Sequence, residues 1–208
     1  MGTTVALLRS TYVDGYLGRT AGQTIPWSDP QVQQHITDAL TKLWPDVGSR
    51  ATGVVTATDT TGIYTIPASI KRVSRIVLEY VSGGKTDIVD TITNWRYETD
   101  TTIRIQPRIT TLAGLSLRVY GWKAYLADAT DLPTDLEATV AERAAALAYG
   151  SLAGQLANSQ RQQGLDSGRV IDYQTAVGMS AYYERRYQEA IDKYPAQVGP
   201  VAPRAARR

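Results

Sequence analysis

The segment Asp131-Leu132-Pro133-Thr134-Asp135-Leu136-Glu137, with the alanine-rich run behind it, decides the reading of the whole chain. Thr134 and Glu137 have the spacing of a capping box, in which two side chains satisfy free backbone N–H groups of a helix's first turn. Asp135 adds negative charge at the positive end of the helix dipole. Leu136, Val140, Leu147 and Leu156 then fall on one helical stripe. Between them stand Ala138, Ala141, Ala144, Ala145, Ala146, Ala148, Gly150 and Ala153. Such a helix buries little apolar area per turn but lets a second helix come close. Gly164 marks a turn, and Val170, Tyr173, Val177, Ala181 and Ile191 suit a second long helix ending near Tyr194-Pro195. If continuous, each helix spans roughly 40 Å at about 1.5 Å per residue.

The N-terminal part is also helical. In Trp27-Ser28-Asp29-Pro30-Gln31, Ser28 and Gln31 have capping-box spacing, and Pro30 lies in the first turn, where a missing N–H costs nothing. Trp27 and Val32 suit a hydrophobic staple. Val32, Ile36, Leu40 and Leu43 repeat on one face until Pro45 ends the helix near Trp44. A shorter helix is expected over residues 4–13, with Gly15, Gly18 and Gly22 breaking the pattern.

Residues 50–127 change character. Thr, Val, Ile and Tyr dominate, and turn signals recur at Thr61-Gly62, Ser82-Gly83-Gly84 and Ala113-Gly114. Ile103-Arg104-Ile105-Gln106 and Leu115-Ser116-Leu117-Arg118-Val119-Tyr120 alternate cleanly and are expected to pair as an antiparallel hairpin. Val73 to Val81 is apolar on both faces, which suits a strand buried between layers. Further strands are expected near 52–57, 63–66 and 86–92. The predicted fold class is α+β: a helical bundle, made of N-terminal helices (1–48) and two long C-terminal helices (132–194), with an inserted small antiparallel β-sandwich or barrel (50–127). An extended C-terminal arm, 195–208, follows.

The chemistry in the chain is sparse. There are no cysteines, which removes disulfides, thiolate metal sites and cysteine nucleophiles. The single histidine, His35, stands within a helical pattern and is expected to be an exposed or satisfied helix residue. No Walker loop, GxGxxG, HExxH or GxSxG motif occurs. Gly83-Gly84-Lys85-Thr86 resembles the end of a phosphate loop but lacks the upstream glycine, so a hairpin turn is expected. The acidic pairs Asp87/Asp90, Glu98/Asp100 and Asp128/Asp131 read as solvated loop and turn residues. No catalytic residue, cofactor or metal is expected. A net charge of +2 gives no global bias toward nucleic acid or membrane. No apolar run approaches the roughly 18 residues that span a bilayer, and the first residues lack a basic leader.

Two segments are candidates for interaction. Tyr182, Tyr183 and Tyr187, with Arg185 and Arg186, read as a stacking and phosphate patch or as packing against a helix or a neighbouring subunit. Packing is favoured, with Tyr182, Tyr183, Arg186 and Tyr187 as inter-subunit candidates. The tail has three prolines, three arginines and no acid. It cannot continue a helix or fold alone. It reads as a frayed terminus or as an arm that orders against another protein, with Val198, Pro200, Val201, Pro203, Arg204, Arg207 and Arg208 as contacts. Arg96, Arg104, Arg108, Arg118 and Lys123 lie in or near the strands, where sheets carry arginine routinely; a DNA-contacting surface is the rival reading.

The capped helix is followed in order by Tyr64-Thr65-Ile66-Pro67, Arg72-Val73-Ser74-Arg75-Ile76, Asn94-Trp95-Arg96-Tyr97, Leu115 to Trp122, and Asp131-Leu132-Pro133 with its alanine-rich helix. This order resembles head-to-tail adaptor (connector) proteins of tailed bacteriophages, over roughly residues 20–160. The resemblance implies a structural virion protein of the neck, assembled in the host cytoplasm. It implies a ring, typically a dodecamer, under the portal protein, with double-stranded DNA passing through the channel without sequence-specific binding. Stopper or tail-completion proteins are the partners on the other side, and no membrane is involved. By position, the portal-binding arm falls on residues 195–208. Family members with purely helical cores lack the strand region, so it faces the tail or forms the outer ring. The rival readings are a carbohydrate- or receptor-binding β-sandwich module of a phage tail, an enzyme acting on cell-wall glycans, and a DNA-binding protein.

Overall fold

The computed structural model describes residues 3–22, 26–56, 62–82, 85–106, 115–159, 163–164 and 170–194. The chain is a mix of helices and antiparallel sheets, and it divides into two compact units. One, helical, takes the N-terminal residues to Gly48 and resumes at Ala124; the other holds the strands of Ser49–Lys123.

The helical unit opens with α1 (Val5–Leu8), which runs through a π-helical turn, Arg9–Val13, into α2 (Asp14–Leu17). Helicity therefore extends past the expected end at residue 13, and Gly15 lies inside it. α3 (Asp29–Leu43) starts at Ser28, whose backbone N–H donates to Gln31 Oε1 at 2.8 Å. Trp27 and Val32 are both buried, as a staple requires. α4 (Thr134–Ser159) is the central helix, about 39 Å long. Its small residues Ala141, Ala144, Ala145 and Ala148 are fully covered, and α5 (Tyr173–Ile191) packs along it. A Cβ at Gly150 would come within 3.3 Å of Ser180 Oγ, and that hydroxyl donates to Ala146 O at 2.9 Å. Leu136, Leu152 and Leu156 supply the larger apolar groups, each worth about 1.5–3 kcal/mol of burial.

Near the start of α4 Glu137 is buried, and its carboxylate accepts from the hydroxyls of Thr3 and Tyr12. The C-terminal part of this unit differs from expectation. The second long helix is shorter than 40 Å. Val170–Ile171 forms β9, paired antiparallel with β8 (Gln163–Gly164), and the helix begins only after Asp172, which caps it by accepting from Thr175 N at 2.7 Å. Its 19 residues span about 28 Å. Finally, its buried residues are Ala176, Tyr183 and Tyr187, whereas Tyr173, Val177 and Ala181 face solvent.

The strand unit contains two antiparallel sheets. The larger has the order β1-β7-β3-β4, from Ser49–Thr56, Leu115–Lys123, Arg72–Ser82 and Lys85–Ile92. The smaller has the order β2-β6-β5, from Ile63–Thr65, Thr102–Ile105 and Trp95–Thr99. They share one apolar layer, in which Ile76, Leu117 and Val119 of the larger sheet meet Tyr64, Ile103 and Ile105 of the smaller. The Tyr97 hydroxyl accepts from the Val73 backbone N–H at 2.6 Å and ties the sheets together. Among the described residues neither sheet closes into a barrel. Gly121 sits opposite Val73, where an added Cβ would lie 2.2 Å from the Arg72 carbonyl oxygen.

The expected hairpin of Ile103–Gln106 with Leu115–Tyr120 does not form. β6 pairs with β2 and β5, and β7 pairs with β1 and β3. Alternation fixes which face a strand buries, not which strand it joins. Nor is Val73–Val81 buried throughout: Ile76 to Glu79 are covered, but Tyr80 and Val81 run out into solvent with β4. Ser82 pairs with Lys85, so Lys85 and Thr86 belong to a strand, as a hairpin requires.

Candidate functional site

α5 is held by its buried aromatic face. Tyr183 stacks on Tyr149 of α4 at 6.1 Å and tilts against Tyr16 at 5.3 Å. The hydroxyls of Tyr149 and Tyr183 both donate to the Tyr16 carbonyl, at 3.3 and 3.2 Å. Burial, reinforced by the neighbouring tyrosines, pushes the Tyr183 phenol up to about 12. Trp27 meets Tyr149 edge-on, and its indole N–H donates to Ala148 O at 3.1 Å. Tyr187 is buried under the Arg143 guanidinium, 5.0 Å from the ring centre, and Arg143 pairs with Glu184. Two of the four inter-subunit candidates, Tyr183 and Tyr187, are thus part of the chain's own core. Their rings fill the space left by the small residues of α4, while backbone carbonyls satisfy their hydroxyls.

The other two candidates lie outside. Tyr182 is 47% exposed. Arg186 reaches back to the buried carboxylate of Glu142, with Nε 2.6 Å from Oε1, and its Nη1 donates to the Tyr182 hydroxyl at 3.2 Å. These bonds to Tyr182 and Glu142 raise the guanidinium's pKa further. An open groove of about 400 Å³ lies over this pair, lined by Glu142, Tyr182, Arg185, Arg186, Glu189 and Lys193. The guanidinium is therefore fixed by an internal carboxylate, and the tyrosine ring is presented outward. Both are residue types that dominate interface energetics.

α5 carries a second apolar stripe on a different side from the groove. Tyr173, Val177 and Ala181 stand four residues apart and are all exposed. A helix of a lone domain shows one apolar stripe and a polar back. α5 has two apolar faces, and the described residues cover only one.

The remaining candidates are placed as follows. The arm residues Val198, Pro200, Val201, Pro203, Arg204, Arg207 and Arg208 lie outside the described residues, as does Arg108. Arg104 forms a two-pronged pair with Glu98, at 2.7 and 2.9 Å, and Arg118 pairs with the buried Glu79 at 2.6 Å. Their charge is balanced within the sheets, which weakens them as a phosphate-binding surface. Asp128 accepts from Thr130, and Asp131 accepts from Leu126 N. His35 is partly buried, which pushes its pKa below 6.5 while Asp38 pulls it back. Among the described residues no group of three or more His, Asp or Glu is placed to hold a metal ion. None of the described helices is long and apolar enough to cross a membrane.

No family model matches the chain, and no curated protein matches it. Among solved structures it is similar to a chain in the neck of an empty GTA particle computed with C6 symmetry. The identity is 15% and the TM-score 0.32, over 88% of this chain and 89% of that one.

Proposed function

We propose that the chain is a structural subunit of a phage-like particle neck, a head-to-tail adaptor that forms a ring under the portal protein, and that it is not an enzyme. The observation that carries this reading is the second apolar face of α5. Tyr173, Val177 and Ala181 keep core spacing yet face solvent, and on another side of the same helix a Tyr182–Arg186 pair is anchored on Glu142. A core-like stripe on the outside is the mark of a surface covered by another chain. The motif order from Tyr64 to Pro133 points to the adaptor family rather than to another self-assembling protein.

In the ring, the α5 face meets a different face of the next copy, because a heterologous contact is what closes a ring by rotation. The C-terminal arm engages the portal, stopper or tail-completion proteins dock opposite, and DNA passes through the channel without sequence readout. Val177→Asp tests this. The site is exposed, so the fold survives, but a carboxylate enters the contact. Complexes with the portal protein of the same particle are weighed by native mass spectrometry. Wild type gives a portal-bound multimer, and V177D weakens it at least tenfold, about 1.4 kcal/mol per contact. Undiminished assembly of V177D removes the α5 face from the account. Wild type that never binds the portal sinks the adaptor reading.

A further inference from the structure

We infer that the larger sheet is continued from copy to copy, with β4 of one subunit pairing antiparallel with β1 of the next. The inference rests on the reading of the chain as a self-assembling subunit. It concerns a different surface from α5.

Among the described residues the sheet order β1-β7-β3-β4 leaves two open edges, and each edge strand has eight residues, so the edges match in length. Every neighbouring pair in the sheet is antiparallel and the number of strands is even. β1 and β4 therefore run in opposite directions. A second copy placed alongside in the same orientation brings its β1 antiparallel to β4, and the joined sheet stays antiparallel throughout. This is the head-to-tail relation that a rotational ring requires. A two-fold dimer would instead join β4 to β4 or β1 to β1.

The side chains agree. The register puts Val54 of β1 on the same side of the sheet as Arg118 and Val77, and puts Thr91 and Ile88 of β4 on that side too. Val54 is 55% and Ile88 62% exposed at the two edges. Pairing would bring these apolar groups onto one continuous face. Exposed edges are usually guarded by charge and bulges. β4 carries Asp87 and Asp90 against a single Lys85, with an irregularity that leaves Val89 out of the pairing. β1 carries Arg50 and no acid. Asp87 and Asp90 share one side of β4, away from Ile88, so pairing β4 with a second β4 would bring four acids together on one face; β1 has none to add.

The absence of native cysteines gives a direct test. Val54→Cys and Ile88→Cys are made separately in the full chain, mixed in equal amounts, and treated with a short bis-maleimide. The reagent spans directly opposed and diagonal positions, about 4.5–8 Å apart, which covers the registers that overlap the two strands along their full length. The reaction is run on the free chain at high concentration and on the portal-bound complex. The expected result is a crosslinked dimer in the mixture, absent from either variant alone, and a ladder from the V54C/I88C double variant. Crosslinking of one variant with itself shows a two-fold edge contact and overturns the inference. A portal-bound multimer with no crosslink overturns it too, while leaving the adaptor reading intact. If neither multimer nor crosslink forms, both fall.

Discussion

Arg19→Ala is expected to cost the helical unit about 3 kcal/mol. Arg19 and Arg9 face Asp14 and Asp29 in a cluster of four charges that sums to zero. The Arg19 side chain is fully buried; its Nη1 donates to Asp14 at 2.6 Å and its Nη2 to Asp29. Arg9 Nη1 meets Asp29 at 2.8 Å. Removing Arg19 leaves two carboxylates against one cation in a largely dry site. Deleting one partner of a buried pair costs roughly 3–5 kcal/mol. The lower end applies, because Asp29 keeps 30% of its side-chain surface and water can partly replace Arg19 there. The assay is urea unfolding followed by helical circular dichroism, with Asp14→Asn/Arg19→Met as the charge-balanced control. The control should recover part of the loss, since neutral groups need no counter-charge. Acid supplies a second readout. The hydrogen bond from Arg19 holds the Asp29 carboxyl below its ordinary 3.8. That contribution is present above pH 3.8 and is lost as pH falls through the lower folded value. Arg19→Ala should flatten this acid limb. A loss under 1 kcal/mol with an unchanged acid limb would refute the buried cluster.

Three further outcomes follow from the same packing. Tyr125 and Tyr183 are both pushed from 10.0 to about 12, chiefly by burial, so the neutral phenols are favoured in the fold. Their contribution is complete below pH 10 and is lost as pH rises through 12, so phenolate absorbance and loss of helix should rise together in that window. Gly121→Ala should destabilise the strand unit by at least the ~1–3 kcal/mol of ordinary overpacking, because the new methyl meets backbone at Arg72; thermal unfolding reads this. Leu152→Ala, at a position 1% exposed in the helical core, should cost about 2–5 kcal/mol in the same urea assay, with V177D unchanged there.

The chain's local signals were strong and its long-range ones weak. Ser28 with Gln31, the stripe Val32–Ile36–Leu40–Leu43 and the leucines of α4 each depend on neighbours three or four residues away, and all are found as helix faces. Strand partners are not local. β6 and β7 have the same alternation, and nothing in either says that one joins β2 and the other β1. β5 lies outside the strands expected from sequence, although Trp95 and Tyr97 pack on the core while Arg96 and Glu98 face out. In α5 the buried side follows hydrogen-bond satisfaction as much as hydropathy. Its aliphatic residues mark one stripe and its tyrosines another. The tyrosines are buried because Tyr16 and Lys42 carbonyls accept their hydroxyls. The aliphatic stripe is the one left outside, and that is the main clue to the candidate site. Glu142 gave no sequence signal at all, since a single acid in a run of alanines reads as surface.

The central claim is tested most directly by binding to the portal protein of the same particle, comparing the full chain with a version ending at Tyr194. The account predicts a saturable, multi-copy complex with the full chain that the truncated chain fails to form. A full chain that stays monomeric beside the portal, at concentrations well above those that saturate a neck interface, would contradict it.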